Sequence, residues 1–212
     1  ERTRGLIRRG LASVRTRGLA ATWARVRRQF ARHPRLPPAS LYRPAEAPFA
    51  PFVVPASDAP RVSIVVPVYN QAAHTLGCLR ALAEHPPSVA CEIIVVDDGS
   101  TDETRDWMTS IGGLRYHVRA GNGGIIAACN DGAALARGDY LVFLNNDTFP
   151  QPGWLEALLD TFGTRPDPGL VGAQLVYPDG RLQEAGGVVF DDGSAWNYGR
   201  FESPEDPRYA SL

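Results

Sequence analysis

The sequence lacks the features of membrane-spanning, secreted and cysteine-ligated metal proteins. It contains no run of about 18 apolar residues, so no transmembrane helix is predicted. Arginines interrupt the first thirty residues, so no secretory signal is predicted there. Its three cysteines, Cys78, Cys91 and Cys129, are odd in number and lack the spacing of metal ligands. They are typical of small buried side chains in a reducing cytoplasm.

Lysine is also absent, and the arginines are unevenly distributed. Residues 1–35 hold 11 arginines and a single carboxylate, Glu1, whereas residues 36–212 hold 11 arginines and 22 carboxylates. In the basic segment, apolar residues recur every three to five positions and predict an amphipathic helix. They are Ile7, Leu11, Val14, Leu19, Trp23, Val26 and Phe30.

The function of this basic helix has two main interpretations. It either docks on an anionic membrane surface or a partner domain, or packs against its own protein with the arginines solvated. We favour packing, because Gly5, Gly10 and Gly18 each weaken a free-standing helix by about 1 kcal/mol. Nucleic-acid binding is the weakest alternative, and we do not expect it.

The rest of the chain predicts a proline-rich linker at 36–60 and a folded domain at 61–212. The domain alternates apolar runs with helical patterns, which is typical of an α/β fold with a mostly parallel sheet covered by helices on both faces. The predicted strands are 62–68, 92–96, 114–118, 140–144, 170–177 and 187–190, and the predicted helices are 73–85, 102–111, 125–137 and 152–162. The turn Pro178-Asp179-Gly180 joins the last two strands.

Polar residues follow three of the predicted parallel strands. They are Tyr69-Asn70, Asp97-Asp98-Gly99-Ser100 and Asn145-Asn146-Asp147. Because parallel strands end at one edge, where ligands bind, we expect two acidic clusters to face one crevice. Glycines are missing directly after the first strand, which excludes a dinucleotide-binding turn. If phosphate binds here, a cation is expected to hold it.

Each cluster also has a purely structural interpretation. Ser100 and Glu103 match a capping box for the following helix, and Asn145–Asp147 match an Asx turn before Pro150. The capping box leaves Asp97 and Asp98 unexplained, because adjacent carboxylates repel unless a positive or donating group joins them.

Four linked motifs resemble those of family 2 glycosyltransferases of the GT-A fold. They are VSIVVPVYNQ (62–71), CEIIVVDDGSTDET (91–104), NGGIIAACNDGAALARGDYLVFLNNDT (122–148) and WLEALL (154–159). The resemblance covers roughly residues 61–190 and implies a GT-A fold. It further implies a nucleotide-sugar donor, a divalent metal (Mn²⁺ or Mg²⁺) and inversion at the anomeric carbon.

The resemblance also implies roles for individual residues. Asp147 would be the metal ligand. The nucleotide-sugar site would be formed by Pro67, Tyr69, Asn70, Asp97, Asp98, Asn122, Gly124, Asn130, Asn145 and Asn146. Asn145 departs from the family's D-x-D motif, so we expect it to orient ribose or water and Asp147 to be the chief protein ligand. The N-N-D variant and Leu182–Gly187 are similar to bacterial enzymes of O-antigen and cell-surface polysaccharide synthesis, including rhamnosyltransferases.

No catalytic base is evident in the sequence. Glu184, Asp191 and Asp192 are the nearby candidates, and the last two also fit a simple turn. We therefore expect the chain to be the donor-binding part of a longer enzyme with its base beyond Leu212. The expected acceptor is a glycan or lipid-linked molecule, and the expected location is the cytoplasm, including the inner face of the membrane. The alternative functions are a non-catalytic nucleotide-sugar-binding or scaffolding module and, third, a nucleotidyltransferase.

Overall fold

A computed structural model describes residues 41–210 of the chain. The described residues fall into two compact units, Leu41–Val171 and a smaller one from Gly172 onward. The basic helix predicted within residues 1–35 lies outside the described residues, so that prediction stays open.

The first unit is built on a four-stranded parallel sheet. Its order is β3-β2-β1-β4. The strands are β1 (Val62–Val68), β2 (Cys91–Asp97), β3 (Leu114–Val118) and β4 (Tyr140–Phe143). The connecting helices are α1 (Ala72–Glu84), α2 (Thr104–Met108) and α3 (Ile125–Leu135), and α4 (Trp154–Thr164) follows β4.

Helices cover both faces of this sheet. On one face, Ile64 of β1 and Ile93 of β2 belong to a buried core that includes Leu79 of α1, Met108 of α2 and Leu155 of α4. On the other face, Val65, Ile94 and Val96 pack against Ala128 of α3. Fully burying such a side chain stabilises the fold by about 1.5–3 kcal/mol. The predicted GT-A class, a mostly parallel α/β sheet with two helical layers, is confirmed.

A buried polar cluster ties the strands together near their amino ends. Glu92, only 2% exposed, accepts hydrogen bonds from Ser63 Oγ (2.6 Å) and from the backbone N–H of Arg137 (2.8 Å). The guanidinium groups of Arg115 and Arg137 also contact its carboxylate. The cluster thus joins β1, β2 and β3 to the α3–β4 connection, at the edge opposite the strands' carboxyl ends.

Residues 41–60 have no regular helix or strand, and they pack against the first two helices of their own unit. The Phe49 ring stacks on the Trp107 ring with centroids 5.2 Å apart, and Arg80 donates a 2.8 Å hydrogen bond to the carbonyl oxygen of Ala47. A single parallel bridge also links this segment to the turn before β3. The described part of the predicted linker is therefore an extended segment that packs against the domain.

The second unit holds two short antiparallel ladders. These are β5 (Leu175–Val176) with β6 (Leu182–Glu184), and β7 (Gly187–Val189) with β8 (Ala195–Asn197), followed by α5 (Pro207–Ala210). Its small core contains Leu182, Ala185 and Tyr209. The predicted turn at 178–180 forms, with Gly180 N–H donating to Tyr177 O at 2.9 Å. It joins β5 to β6, however, and not to the strand predicted at 187–190, which pairs with β8.

Three further predictions about local structure were wrong: a strand, a helix and a capping box. The strand predicted at 170–177 is reduced to two residues, Leu175–Val176. The helix predicted at 102–111 runs only over Thr104–Met108, and Glu103 at its amino terminus makes no side-chain cap. The capping box fails because the Ser100 hydroxyl accepts a hydrogen bond from Asn70 N–H instead. The other predicted boundaries in the first unit lie within about two residues, as is usual for element ends.

The helices of the described part are too short to cross a bilayer. The longest is α1, with 13 residues, and a transmembrane helix needs about 20 residues. None in the range 41–210 is both long and apolar enough for a span.

Replacing Glu92 with Gln should destabilise the fold by roughly 2–3 kcal/mol, because Arg115 and Arg137 lose a charged, buried acceptor. Burial alone would raise the pKa of Glu92, but hydrogen bonds from Ser63, Arg115 and Arg137 lower it from 4.5 to about 2. A carboxyl with a lowered pKa stabilises the fold above its unfolded value and loses that contribution as pH falls.

Urea unfolding at several pH values tests this expectation. The difference between the wild type and Glu92→Gln should be constant above about pH 4.5 and shrink between that value and about pH 2. Asp139→Asn, which changes an exposed carboxylate just before β4, is the matched control and should unfold like the wild type. A difference that is absent or independent of pH would contradict the role assigned to Glu92.

Candidate functional site

The carboxyl ends of the parallel strands bring most of the predicted site residues to one edge of the sheet. Val68 at the end of β1 pairs with Asp97 at the end of β2, and Asp97 pairs with Val118 at the end of β3. The backbone N–H of Leu144 donates to Val65 O at 2.9 Å, so the chain after β4 leaves at the same edge. Asn130 does not belong to these strand ends, because it is an exposed residue within α3.

Asp97 is buried and its carboxylate is used inside the protein. One oxygen accepts a 2.7 Å hydrogen bond from Ser100 N–H, and the other accepts from the Tyr116 hydroxyl. Burial and this hydrogen bond together raise the pKa of Tyr116. Asp97 therefore shapes the turn after β2.

Asp98 is also buried, with 3% of its surface exposed. Its Oδ1 accepts from Gly123 N–H (2.9 Å) and the Arg119 guanidinium, and its Oδ2 accepts from Gly124 N–H (2.7 Å). Burial alone would raise the pKa of Asp98, but these three donors lower it below its usual value. The sequence predicted that a positive or hydrogen-bond-donating group lies beside the adjacent carboxylates. The structure contains both, the Arg119 guanidinium and the N–H groups of Gly123 and Gly124.

Two glycine-rich turns meet above these carboxylates. Gly99 has a φ of +84°, and a Cβ added there would lie 3.2 Å from the Cα of Gly121. Gly124 has a φ of +86°, and the Asn122 side chain accepts a 3.1 Å hydrogen bond from its N–H. A side chain at Gly99 would be strained by both its φ and its contact, so glycine lets the turn after β2 pack against the loop after β3.

The turn after β1 is fixed by the loop after β2. Asn70 and Gln71 both have positive φ values, 55° and 61°. The Asn70 side chain accepts from Thr101 N–H at 2.8 Å. Asp102 accepts from Ala72 N–H, the first residue of α1, at 3.0 Å. A carboxylate from another loop thus caps α1, whose own first turn has no acidic residue.

The turn after β4 is held by the same end of α1. The side-chain nitrogen of Asn146 donates to the Thr75 hydroxyl at 2.9 Å. Ala72 and Thr75 are three residues apart, an axial rise of about 4.5 Å. The loops that contain Asp98 and Asp147 therefore both contact the first turn of one helix.

The residues after β4 offer oxygen ligands to a cation. Asp147 and Asn145 are exposed, whereas Asn146 is half-buried. Among residues 41–210, no cluster of three or more His, Cys, Asp or Glu could hold a metal by itself. Mg²⁺ commonly binds through one or two carboxylates, with waters and substrate phosphates completing its shell. Asp147 fits that kind of site as a single carboxylate ligand.

An open cavity of about 480 Å³ lies next to this edge. It is lined by Asn70, Gln71, Ala72, Ala73, Thr101, Asp102, Glu103 and Trp107. Only Asn70 is shared with the predicted site residues, so we define the candidate site by the converging loops and not by this cavity.

Sequence reasoning missed three residues that build the site. They are Arg119, Asp102 and Thr75, which contact Asp98, α1 and Asn146 respectively. The apparent capping box hid the role of Asp102. The adjacent carboxylates of Asp97 and Asp98 were the one sequence signal that a cation is needed nearby. They did not indicate which arginine would contact them.

The three candidate bases, Glu184, Asp191 and Asp192, belong to the second unit. Glu184 ends β6. Asp192 accepts a 2.9 Å hydrogen bond from Ser194 N–H in the turn between β7 and β8. That contact agrees with the turn interpretation of Asp192.

Replacing Asp102 with Ala should reduce the free energy of unfolding by about 1 kcal/mol, because α1 loses its cap. Urea unfolding followed by helix circular dichroism would measure the effect. Asp160→Ala, which removes an exposed carboxylate from α4, is the control and should stay within about 0.5 kcal/mol of the wild type. Equal stability of the two variants would show that α1 does not depend on Asp102.

Comparison with known proteins shows which family the chain belongs to. Residues 63–202 match the family described as Glycosyl transferase family 2. Glycosyltransferase AglE from Haloferax volcanii is 36% identical over 132 residues, covering 58% of this chain and 43% of that protein. Chondroitin synthase from Pasteurella multocida is 34% identical over 106 residues, covering 49% of this chain and 11% of that protein. The chain thus spans less than half the length of either relative.

Among solved structures, the mannosyltransferase PcManGT from Pyrobaculum calidifontis, in complex with GDP-Man and Mn²⁺, is 28% identical, with a TM-score of 0.42. That alignment covers 50% of this chain and 34% of PcManGT. The family match itself extends over more than half of the chain; it includes three of the four motifs in full and residues 63–71 of the first. The protein therefore belongs to glycosyl transferase family 2.

Proposed function

We propose that the protein takes part in transferring a sugar from a nucleotide-diphosphate donor, a UDP- or dTDP-sugar, to a glycan or lipid-linked acceptor. Family membership supports sugar transfer. The observation that carries the proposal is the attachment of two carboxylate-bearing loops to one turn of α1. This arrangement suits a ligand with a nucleoside at one end and a diphosphate at the other.

The nucleoside would bind beside the turns after β1 and β2. Tyr69 is 49% exposed at this edge and offers a ring face for stacking. Pro67 and Asn70 flank it, and the loop anchored on Asp98 supplies Asn122 and Gly124. Asn130 on α3 completes the proposed donor pocket. Asp97 would act indirectly, because its two oxygens already accept internal hydrogen bonds.

The diphosphate would bind beside the turn after β4. We assign Asp147 as the ligand of a divalent cation, Mn²⁺ or Mg²⁺, and Asn145 as an orienting group for ribose or water. The bound cation would stabilise the negative charge that develops on the leaving diphosphate. Asn146 would hold this turn in place through Thr75.

Inverting transfer needs a carboxylate near the acceptor hydroxyl to accept its proton. Asp97 and Asp98 are poor choices for that role, because both are buried and hydrogen-bonded within the protein. We therefore assign both to building the donor pocket and not to accepting the acceptor's proton.

The biological setting is also part of the proposal. The names of the relatives include a polysaccharide synthase, which supports a role in cell-surface polysaccharide synthesis. The similarity of Leu182–Gly187 to rhamnosyltransferases favours a rhamnosyl or other hexosyl group as the transferred sugar. We place the reaction in the cytoplasm, with the basic segment 1–35 available to dock on a membrane surface or a partner domain.

Asp147→Ala should abolish the metal-dependent part of nucleotide binding. Calorimetry with UDP and dTDP, each with and without Mn²⁺, would measure it. The wild type should bind at least about tenfold more tightly with Mn²⁺, a difference of about 1.4 kcal/mol, and Asp147→Ala should show no such gain. Asp160→Ala should retain the gain, because Asp160 is an exposed carboxylate on α4.

The proposal fails if Asp147→Ala keeps the full Mn²⁺-dependent gain. It also fails if the wild type binds neither nucleotide. If the full-length enzyme binds donors but transfers no sugar to any acceptor, the non-catalytic binding module becomes the better description.

A further inference from the structure

Arg119 occupies a central position beside the proposed nucleoside site. It follows β3, and its guanidinium contacts the carboxylate of Asp98, whose side chain is 4% exposed. Its Nε donates a 2.6 Å hydrogen bond to Asp131 on α3. The Arg119 side chain is itself 19% exposed. It thus connects the end of β2 to α3 through two carboxylates.

Arg119 also limits the position of the loop at 121–124. A Cβ added at Gly123 would lie 2.5 Å from Nη1 of Arg119, so the loop backbone rests against the guanidinium. The same loop donates two backbone N–H groups, from Gly123 and Gly124, to Asp98. The Arg119 guanidinium and the Asp98 carboxylate therefore support the loop from two directions.

We propose that Arg119 is a positioning residue of the donor site, which holds the ionised Asp98 and the loop at 121–124 in the shape that binds the nucleoside. This inference rests on the proposed function. Arg119 acts through Asp98 and the loop, and Asp131 in turn fixes the orientation of the guanidinium. Arginine suits the role, because its planar group donates to two carboxylates at once.

The charges around Asp98 explain why Arg119 matters for ionisation. The neighbouring carboxylate of Asp97 is directed to Ser100 and Tyr116, and Arg105 lies near the Tyr116 hydroxyl. Asp131 faces Arg119 from α3. Without Arg119, Asp98 would keep its two backbone donors but remain buried without the guanidinium that faces it. Its pKa would then rise, because burial disfavours the ionised form and a stabilising positive charge is lost.

The test measures nucleotide affinity by calorimetry, with UDP and Mn²⁺, for a set of variants. Arg119→Ala should weaken binding by roughly tenfold or more, as expected for loss of a hydrogen bond to a charged group. Arg119→Lys should recover part of the affinity, and Asp131→Asn should be intermediate. Arg80→Ala is the matched control. It removes an arginine that donates to the carbonyl oxygens of Ala47 and Pro48, and it should bind UDP like the wild type.

A pH series separates positioning from a general loss of structure. The affinity ratio of wild type to Arg119→Ala should increase as the pH is lowered, since Asp98 protonates more readily without Arg119. Taking the ratio cancels the titration of the nucleotide phosphate, which is common to both measurements. The gain from Mn²⁺ should be equal in the two proteins, because the metal ligand is unchanged.

The outcomes distinguish this inference from the function on which it rests. If the wild type binds UDP and Arg119→Ala binds it equally well, the positioning role is wrong and the proposed function stands. A weaker variant whose affinity ratio does not change with pH, and which Arg119→Lys does not improve, also overturns the positioning role. If the wild type itself binds no nucleotide, both are wrong.

Discussion

The first turn of α1 is the constraint on which the candidate site depends. Asp102 from the loop after β2 accepts a hydrogen bond from Ala72 at the start of this turn, and Asn146 from the turn after β4 donates to Thr75. β1, the strand that leads into α1, lies between β2 and β4 in the sheet. The parallel sheet brings the loops to one edge, and α1 fixes their separation. A nucleotide sugar that uses both loops would need that separation to be constant.

Buried carboxylates serve different purposes at the two ends of the sheet. Near the amino ends, Glu92 is balanced by two arginines and a serine and joins three strands to the α3–β4 connection. At the carboxyl edge, Asp98 is balanced by one arginine and two backbone N–H groups of a glycine-rich loop. Unpaired burial of either charge would cost several kcal/mol. The first arrangement stabilises strands and the second shapes a loop, so removing Glu92 should mainly affect stability and removing Arg119 mainly ligand binding.

Most of the fold and part of the site could be predicted from the sequence. Strands buried on both faces give continuous apolar runs such as Val62–Val68, and polar residues directly after them indicate the binding edge. The errors came from contacts between residues distant in sequence. Ser100 and Glu103 match a local cap, yet Ser100 binds Asn70 and Asp102 caps α1 instead. A sequence pattern does not contain those partners, just as it did not identify Arg119 as the cation beside Asp98. The strand predicted at 170–177 was mostly lost, because apolar composition alone does not provide a pairing partner.

The most direct test of the account is paramagnetic broadening of backbone NMR signals by Mn²⁺ in the presence of UDP. Bound near Asp147, the ion should broaden the amide signals of Asn146, Thr75 and Gly123 together, because the loops after β2, β3 and β4 meet at one edge. Asp147→Ala should remove the broadening, and Mg²⁺, which is not paramagnetic, should cause none. Broadening of Asn146 with an unaffected Gly123 would mean that the two halves of the site are too far apart to bind one nucleotide sugar, and the account would be wrong.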